Sequence, residues 1–312
     1  FARAGIQQQQ TEYELTRLDL LAETSRRYYH VLAIQARKSV VASSISAERQ
    51  ALNVVQQRAK AGAVGQADVS KMDLRLAKSQ ALAQQLEAEH RLASTRLAAM
   101  WQSSANFQQV AGVFLWLPQL PTSSQLLASI EQSPALLNRL ALERLQDRRV
   151  SLTQANGRSD ITLGLGVKQL EATDDQALSF SLSMPLSFSN PNRGRIAAAL
   201  AERELTALQS TQVKQRLELE LLEILQRLES TRQRVEFLQK RLMPKAETLL
   251  TDIKRGYQQG RYSVLQWTDA QAERVTLERT QINLYSNFYL QLLELERITG
   301  QPLTLVKEGV NS

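Results

Sequence analysis

The chain has 312 residues, of which 43% are hydrophobic and 5% aromatic, and its formal net charge is +7. No window approaches the roughly 18 to 20 consecutive apolar residues of a membrane-spanning helix, which excludes a helical membrane protein. Cysteine is absent, which excludes disulfides and thiolate chemistry. Lys and Arg form no run of five or more, and acidic residues lie between them, so the charge describes an ordinary solvated surface and predicts no nucleic-acid partner.

One plan occurs twice along the chain. A shift of 198 residues, the separation of Gly62 from Gly260, lays the two copies on each other. In each copy a polar stretch of helical composition ends at this glycine. Each copy then restarts as a helix, and from Asp68-Val69 in the first and Gln266-Trp267 in the second about thirty residues with almost no helix breakers run to Trp101 and to Thr299-Gly300. We therefore predict two long helical pairs that each reverse direction at a glycine.

The apolar residues of these stretches recur at the spacing of coiled coils. In the second copy the steps are three, four or seven residues, at Val213, Leu217, Leu221, Ile224, Leu228, Val235, Leu238 and Leu242. Such periodic stretches are longer than the roughly 8 to 20 residues of ordinary globular helices and predict long antiparallel coils. A plain helical bundle remains an alternative, because periodicity alone does not distinguish the wall of a tube from a bundle.

A β-hairpin is predicted between the two copies. After a break at residues 156–159, apolar and small polar residues alternate over two segments of about nine residues, separated by a polar turn at 173–176. This is the length and the alternation of an outer-membrane barrel strand. The open edges of a lone hairpin cannot be satisfied in lipid, so other strands must close the barrel. The alternative is a hairpin half-buried against the helices. The residues predicted to face lipid are Ile161, Leu163, Leu165, Leu178, Phe180 and Leu182.

No catalytic constellation is visible along the chain. The sequence has no Gly-rich phosphate loop, nucleophile elbow or paired-histidine metal motif, and its two histidines, His30 and His90, lie in separate helical stretches. The four methionines are scattered too, so no thioether cluster for a soft metal is present. We predict that the protein is not an enzyme and has no catalytic residue, cofactor or resident metal. A metal ion would pass through it as substrate.

Two signatures carry a family resemblance. Segment 184–199 holds a strand ending in Pro-Leu, an Asn-rich turn and Arg-Gly-Arg-Ile at the start of an Ala-rich helix. The second signature is Tyr-x-x-Gly-Arg at 257–261, followed by Asp-Ala-Gln at 269–271 and closed by Arg-Ile-Thr-Gly at 297–300. In this order and spacing the chain resembles the TolC-like outer-membrane efflux proteins over nearly its whole length, in particular their heavy-metal, CzcC-like branch.

The resemblance implies a mainly α fold of long antiparallel coiled-coil helices in two tandem repeats, with a β-hairpin that contributes to a trimeric transmembrane β-barrel. It also implies that a signal peptide, a first helix and a first hairpin precede residue 1. The implied domains are a first periplasmic helical pair at 1–102, an equatorial linker and helix at 103–150, barrel strands at 157–188, a second helical pair at 189–300 and a C-terminal tail at 301–312.

The function implied by the resemblance is that of an outer-membrane channel, the passive exit duct of a tripartite efflux pump for small solutes or metal ions. The implied partners are two further copies of the chain in a homotrimer, a periplasmic adaptor, an inner-membrane transporter and outer-membrane lipid. Most of the chain would lie in the periplasm. The alternatives are a periplasmic adaptor, which also carries a long α-hairpin, and a coiled-coil scaffold protein.

The resemblance places a periplasmic gate at the tips of the two helical pairs. In the family these tips close the duct through hydrogen bonds, ion pairs and acidic rings. Tyr262 stands where some members have the gate Arg, and Gln266 where some have a further Asp. The alternative is that these are turn and helix-start residues, because Asp is favoured in a first helical turn. The residues predicted at the tip are Gly62, Asp68, Tyr257, Gly260, Arg261 and Asp269.

Overall fold

A computed structural model describes residues 2–112, 115–158, 161–170, 175–184 and 192–303. Three predicted features lie wholly or partly outside these residues: the first half of the polar turn at 173–176, the strand-to-helix passage at 185–191, and the tail from 304. The chain divides into two compact units, one of residues 1–16 and 130–218 and the other of residues 17–129 and 219–312.

The described chain is dominated by long helices, as predicted. Two strands interrupt them, and short 3₁₀ turns lie at Ala99–Trp101 and Ile130–Gln132. The elements in chain order are α1 Ala2–Lys60, α2 Gln66–Ala98, α3 Ser123–Ser129, α4 Pro134–Ala155, β1 Thr162–Leu170, β2 Asp175–Ser183, α5 Arg193–Phe237, α6 Met243–Gln258 and α7 Val264–Thr299.

In the larger unit α1 and α2 pair in antiparallel fashion. Arg27 donates to the backbone oxygen of Arg96 at 2.7 Å, and nearer the reversal Arg75 contacts Glu48 at 3.3 Å. Residues later in α1 thus contact residues earlier in α2, as expected for antiparallel helices. A buried seam of Val31, Ile34, Val41, Leu86, Ala93 and Leu97 lies between the two helices. Burial of these side chains stabilises the pair by roughly 1.5 to 3 kcal/mol for each large one.

The second pair of this unit is formed by α6 and α7, which pack beside α1. Gln239, in the π turn at Leu238–Leu242 that joins α5 to α6, donates to the Tyr285 hydroxyl at 2.9 Å. Tyr29 of α1 stacks on Tyr289 of α7 with ring centroids 4.4 Å apart. Pro244 is the second residue after the π turn. Because proline lacks a donor and crowds the preceding turn, a widened turn at this point lets the helix continue.

The segment between α2 and α3 is irregular but fixed by side chains. Arg232 donates to the backbone oxygen of Pro118 at 2.5 Å, and the Tyr289 hydroxyl donates to that of Trp116 at 2.7 Å. The Tyr28 hydroxyl similarly donates to the backbone oxygen of Ala111. These bonds satisfy carbonyl groups that a chain without regular structure leaves unpaired.

In the smaller unit α4 runs antiparallel to α5. Lys214 pairs with Glu131 near the start of α4, and Arg203 pairs with Asp147 further along at 2.6 Å. Asn192, at the beginning of α5, donates to the backbone oxygen of Thr153 at 2.6 Å near the end of α4. The end of α4 and the beginning of α5 therefore lie side by side, and both lead into the hairpin.

The hairpin forms with the predicted parity. β1 and β2 are antiparallel and each has nine residues. The register sets Leu163 opposite Leu182 and Leu165 opposite Phe180, with Val167 opposite Leu178. Side chains alternate between the faces of a strand, so all these residues share one face. The described strands end at Leu170 and Ser183, and the predicted extension of the second strand to Leu186 lies outside the described residues.

Candidate functional site

The two helix reversals have the same backbone geometry. Gly62 and Gly260 both adopt the left-handed region, with φ of 71° and 76°. At the first reversal the Ala63 amide donates to the Arg58 oxygen at 2.9 Å. At the second, the Arg261 amide donates to the Gly256 oxygen at 2.8 Å. These two bonds are related by the 198-residue shift, and both join the third residue beyond the helix to its last turn. This pattern ends a helix when the residue before the donor is left-handed.

The helices that follow the reversals also begin at equivalent positions, Gln66 and Val264. Their N-caps differ. Gly65 contributes no side-chain bond, whereas Ser263 and Gln266 form a reciprocal capping box. Gln266 thus caps the start of its own helix, at the position where some members of the TolC-like family have an acidic residue. A capping box satisfies two otherwise unpaired amides, so the start of α7 is the better fixed of the two.

The two reversals pack against each other around a shared core. Val55 of α1, Met72 of α2 and Val264 of α7 are buried in it together with Tyr257, and Trp267 packs against them. The Tyr257 and Trp267 rings are 5.1 Å apart. The predicted tips of the two helical pairs therefore lie together within the larger unit, and we refer to them below as the tip.

Arg58, which the sequence analysis did not single out, links the two reversals. Its Nη2 donates to the backbone oxygen of Tyr257 at 2.9 Å and to that of Gln258 at 3.2 Å. Its guanidinium also lies 4.2 Å from the centre of the Tyr257 ring. A cation favours the C-terminal end of a helix, where unpaired carbonyl groups carry partial negative charge. One arginine of the first copy therefore caps the last turn of α6 in the second.

The position equivalent to Arg58 in the second copy is a glycine, Gly256. A Cβ there would lie 2.2 Å from the Tyr262 ring, so the glycine lets that ring cover the helix. A second arginine here would displace Tyr262. The two copies thus share a backbone plan but divide the roles of their side chains at the tip.

Tyr257 is a core residue of the tip. It is only 2% exposed, and its hydroxyl has no hydrogen-bond partner within the part of the chain that the structure describes. The resemblance implied that tip residues hold the gate by hydrogen bonds to neighbouring coils. Within the single chain Tyr257 therefore packs in the tip core beneath Arg58, and its role in a gate stays a prediction.

The charged residues predicted at the tip remain accessible to solvent. Asp68 is half-buried in the first turn of α2, and Asp269 and Arg261 are exposed. Among the described residues neither carboxylate forms an ion pair, and Arg261 donates to Gln259 beside it. The structure therefore does not join Arg261 to either aspartate within one chain, and both negative charges stay available to ions or to another copy.

A buried ion pair lies below the tip. Glu48 is 4% exposed and accepts from Arg75 at 3.3 Å and from Ser44 at 3.1 Å through the same oxygen. Its other oxygen has no protein partner among the described residues, and a cavity of about 20 Å³ lies beside it. That volume accommodates one water molecule. Glu48 and Arg75 are 27 residues apart, and no local sequence pattern predicts their pairing. They meet because the chain reverses direction at Gly62.

The apolar face of the hairpin is open. Leu163 is 79% exposed and Phe180 78%, and the other residues predicted to face lipid are 63% or more exposed. On the opposite face there is no room for a side chain at Gly164, because a Cβ there would lie 2.4 Å from Ser181 Oγ. The hairpin therefore does not bury its apolar face on the helices of its own chain, which removes the half-buried alternative.

Two further properties bear on the site. No described helix has a stretch both long and apolar enough to cross a bilayer. Nor do the residues at 2–112, 115–158, 161–170, 175–184 and 192–303 contain a group of His, Asp and Glu arranged to hold a metal ion.

Comparison with known proteins agrees with this geometry. The chain is 23% identical over 287 residues to the cobalt-zinc-cadmium resistance protein CzcC of Cupriavidus metallidurans. The aligned region covers 91% of this chain and 68% of CzcC. Its fold is similar to that of the outer-membrane channel OprN, with a TM-score of 0.79 at 18% identity over 96% of this chain and 69% of OprN. For CusC the TM-score is 0.80 at 14% identity, over 95% and 72%.

No protein-family model matches the chain. The fold is nevertheless that of TolC-like outer-membrane channels, and the predicted resemblance to them and to CzcC is confirmed.

Proposed function

We propose that this chain, which has the fold of the outer-membrane channels, is the exit duct of a tripartite efflux pump. The observation that carries the proposal is the combination of an exposed, wholly apolar hairpin face with two long helical pairs that meet at one tip. A strand pair of this kind fits the wall of a membrane barrel, and antiparallel coils fit the wall of a periplasmic tube. Such a duct is a passive conduit and catalyses no reaction.

The duct requires more than one copy of the chain. A lone two-stranded hairpin leaves backbone groups unpaired at both edges, which hydrocarbon does not tolerate. A homotrimer with closed symmetry supplies the further strands and coils. In this arrangement segment 157–188 lies in the outer membrane. The helical pairs at 1–102 and 189–300 line the periplasm, the linker at 103–150 lies around their middle, and the tip meets a periplasmic adaptor and an inner-membrane transporter.

The tip is the proposed gate, with a division of labour among the predicted residues. Gly62 and Gly260 fix the reversals, and Tyr257 holds them together from within. Asp68, Asp269 and Arg261 supply the accessible charges. Threefold repetition would concentrate the carboxylates around a narrow opening, which attracts cations and repels anions.

Metal cations and other small solutes are the proposed cargo. The relative CzcC is named for resistance to cobalt, zinc and cadmium, and acidic residues at the tip suit cation passage. A periplasmic adaptor or a coiled-coil scaffold would leave the exposed apolar face of the hairpin without a use. The outer-membrane duct is therefore the better supported function.

Planar-bilayer recording tests the proposal. The purified protein should insert and give discrete conductance steps. A variant in which residues 162–183 are replaced by a short Gly-Ser linker should give none, while its circular dichroism keeps the helical signal. Absence of conductance in the wild type, or unchanged conductance in the variant without the hairpin, would contradict the proposed function.

A further inference from the structure

A polar cleft of about 400 Å³ lies between the end of α4 and the beginning of α5. Arg149 of α4 and Arg195 of α5 line it together with the small residue Ala198. Asn192, which is 7% exposed, also lines the cleft and is held by its bond to Thr153. The walls are therefore positioned by a defined contact between the two helices.

The two arginines of the cleft are not neutralised by the chain. Among the described residues neither Arg149 nor Arg195 forms an ion pair, whereas the neighbouring Arg203 is paired with Asp147 at 2.6 Å. Glu202 is the one acidic residue lining the cleft, and it lies seven residues from Arg195. That separation is about 10 Å along a helix, so Glu202 lies away from Arg195, and with two arginines against one glutamate the lining of the cleft carries a net positive charge.

The cleft is next to the hairpin in the chain. α4 ends at Ala155, and β1 begins at Thr162. At about 3.5 Å per residue this connection spans at most about 25 Å. α5 begins at Arg193, after the other strand has ended at Ser183. The end of α4 and the beginning of α5, which form the cleft, therefore flank in sequence the two strands with the exposed apolar face.

We propose that this cleft binds the phosphate group of an anionic phospholipid at the periplasmic surface of the outer membrane. The inference rests on the proposed function, because that function places the hairpin in lipid and the cleft at the level of the headgroups. Arginine binds phosphate through two parallel hydrogen bonds, and its charge is retained at all relevant pH values. Two arginines from different helices would bind one phosphate group. This would hold the hairpin, which α4 and α5 flank in the chain, at the membrane surface.

Titration calorimetry of the detergent-solubilised protein tests the site with two probes, dihexanoyl phosphatidylglycerol and inorganic phosphate. In the double variant Arg149→Gln/Arg195→Gln the affinity for the lipid should fall about tenfold or more, because bonds to a charged group are lost. The control Arg144→Gln/Arg148→Gln removes the same charge from exposed positions of α4 outside the cleft and should change the affinity less than about twofold. Ala198→Phe keeps every charge but fills the cleft, and should weaken binding as the cleft variant does.

Equal losses in the cleft and control variants would overturn the proposal, because general electrostatic attraction would then explain binding. Wild-type lipid affinity in both the cleft variant and Ala198→Phe would also overturn it. Inorganic phosphate bound as tightly as the lipid would show a site for free phosphate instead. Planar-bilayer recording of the same proteins separates this inference from the proposed function: conductance with unchanged lipid affinity refutes the cleft alone, and absence of conductance in the wild type refutes the duct.

Discussion

Arg58 of α1 caps the helix that ends beside Tyr257, donating to the Tyr257 backbone oxygen at 2.9 Å while its guanidinium covers the same residue's ring. These two residues belong to different copies of the repeat. Their contact joins the reversal at Gly62 to the reversal at Gly260. Coupling between the two helical pairs at the tip therefore depends on a side chain that the repeat does not duplicate.

Replacement of Arg58 should loosen the tip. Arg58→Ala removes two hydrogen bonds from a charged donor and a cation–π contact, so we expect the free energy of unfolding to fall by about 2 kcal/mol. Amide exchange at Gly260 and Arg261 should accelerate. The matched control is Lys60→Ala, which removes an exposed cation from the same last turn of α1. Equal effects of the two substitutions on thermal unfolding and exchange would show that Arg58 has no special role.

Tyr257 should respond to the loss of its ring and not to the loss of its hydroxyl. The buried hydroxyl has no hydrogen-bond partner among the described residues, so Tyr257→Phe should leave stability and single-channel conductance unchanged. Tyr257→Ala leaves a cavity in the tip core and should cost about 3 to 5 kcal/mol. Both can be measured by denaturant unfolding. An increase in conductance for Tyr257→Phe would instead reveal a hydrogen bond to a neighbouring subunit.

Asp269 should set ion preference more than stability. It is exposed beyond the first turn of α7, and in the proposed homotrimer Asp269→Asn removes three charges from the tip. We expect a lower cation preference, read from the reversal potential in a salt gradient, with little change in thermal unfolding. Asp68→Asn, in the first turn of α2, should also cost about 0.3 to 1 kcal/mol of stability. Unchanged reversal potentials in both variants would mark these residues as local helix-start residues only.

His90 should make stability depend on pH. It is 5% exposed in α2, and burial, with a smaller contribution from Lys38, lowers its pKa below the ordinary 6.5 while Glu87 acts in the opposite direction. The unfolded chain therefore takes up a proton at a higher pH than the folded chain. The stability conferred by the neutral imidazole is complete above pH 6.5 and is lost as the pH falls below it.

Thermal unfolding at pH 7.5 and 5.5 measures this contribution. His90→Gln stays neutral throughout, so its unfolding temperature should fall less between the two pH values than that of the wild type. His30 and the carboxylates are common to both proteins and cancel in the comparison. An identical fall in both would show that His90 does not titrate differently on folding.

The sequence predicted the features that depend on periodicity. Apolar residues recur every 3.6 or 3.5 residues in the helices and every second residue in the hairpin, because in each case one face of the element meets apolar surroundings. The equivalence of Gly62 and Gly260 was visible because a left-handed residue at a helix end favours glycine. These patterns are local, so they can be found without knowing which segments meet.

Contacts between distant segments gave no such signal. Arg58 and Tyr257 are 199 residues apart, and neither residue type is unusual at the end of a helix. Tyr257 was predicted to make gate hydrogen bonds because the family resemblance concerns its position, whereas its burial depends on Met72 and Val264 from two other helices. Arg149 and Arg195 belong to separate stretches and become a cleft only when α4 and α5 are brought together.

Membrane assembly should distinguish the two faces of the hairpin. Leu163→Lys places a charge on the apolar face, and a Lys at the middle of a bilayer costs about 2 to 4 kcal/mol in a barrel strand. The matched control is Thr162→Lys, one residue away on the opposite face, where Lys168 is already present. We expect Leu163→Lys to reduce the fraction of protein recovered in the outer membrane as heat-resistant trimer, and Thr162→Lys to leave it near the wild-type level. Since both variants add the same charge, the difference reports which face meets lipid. Equal recovery of the two variants, or greater loss in Thr162→Lys, would contradict the assignment of Leu163 and its neighbours to the lipid surface.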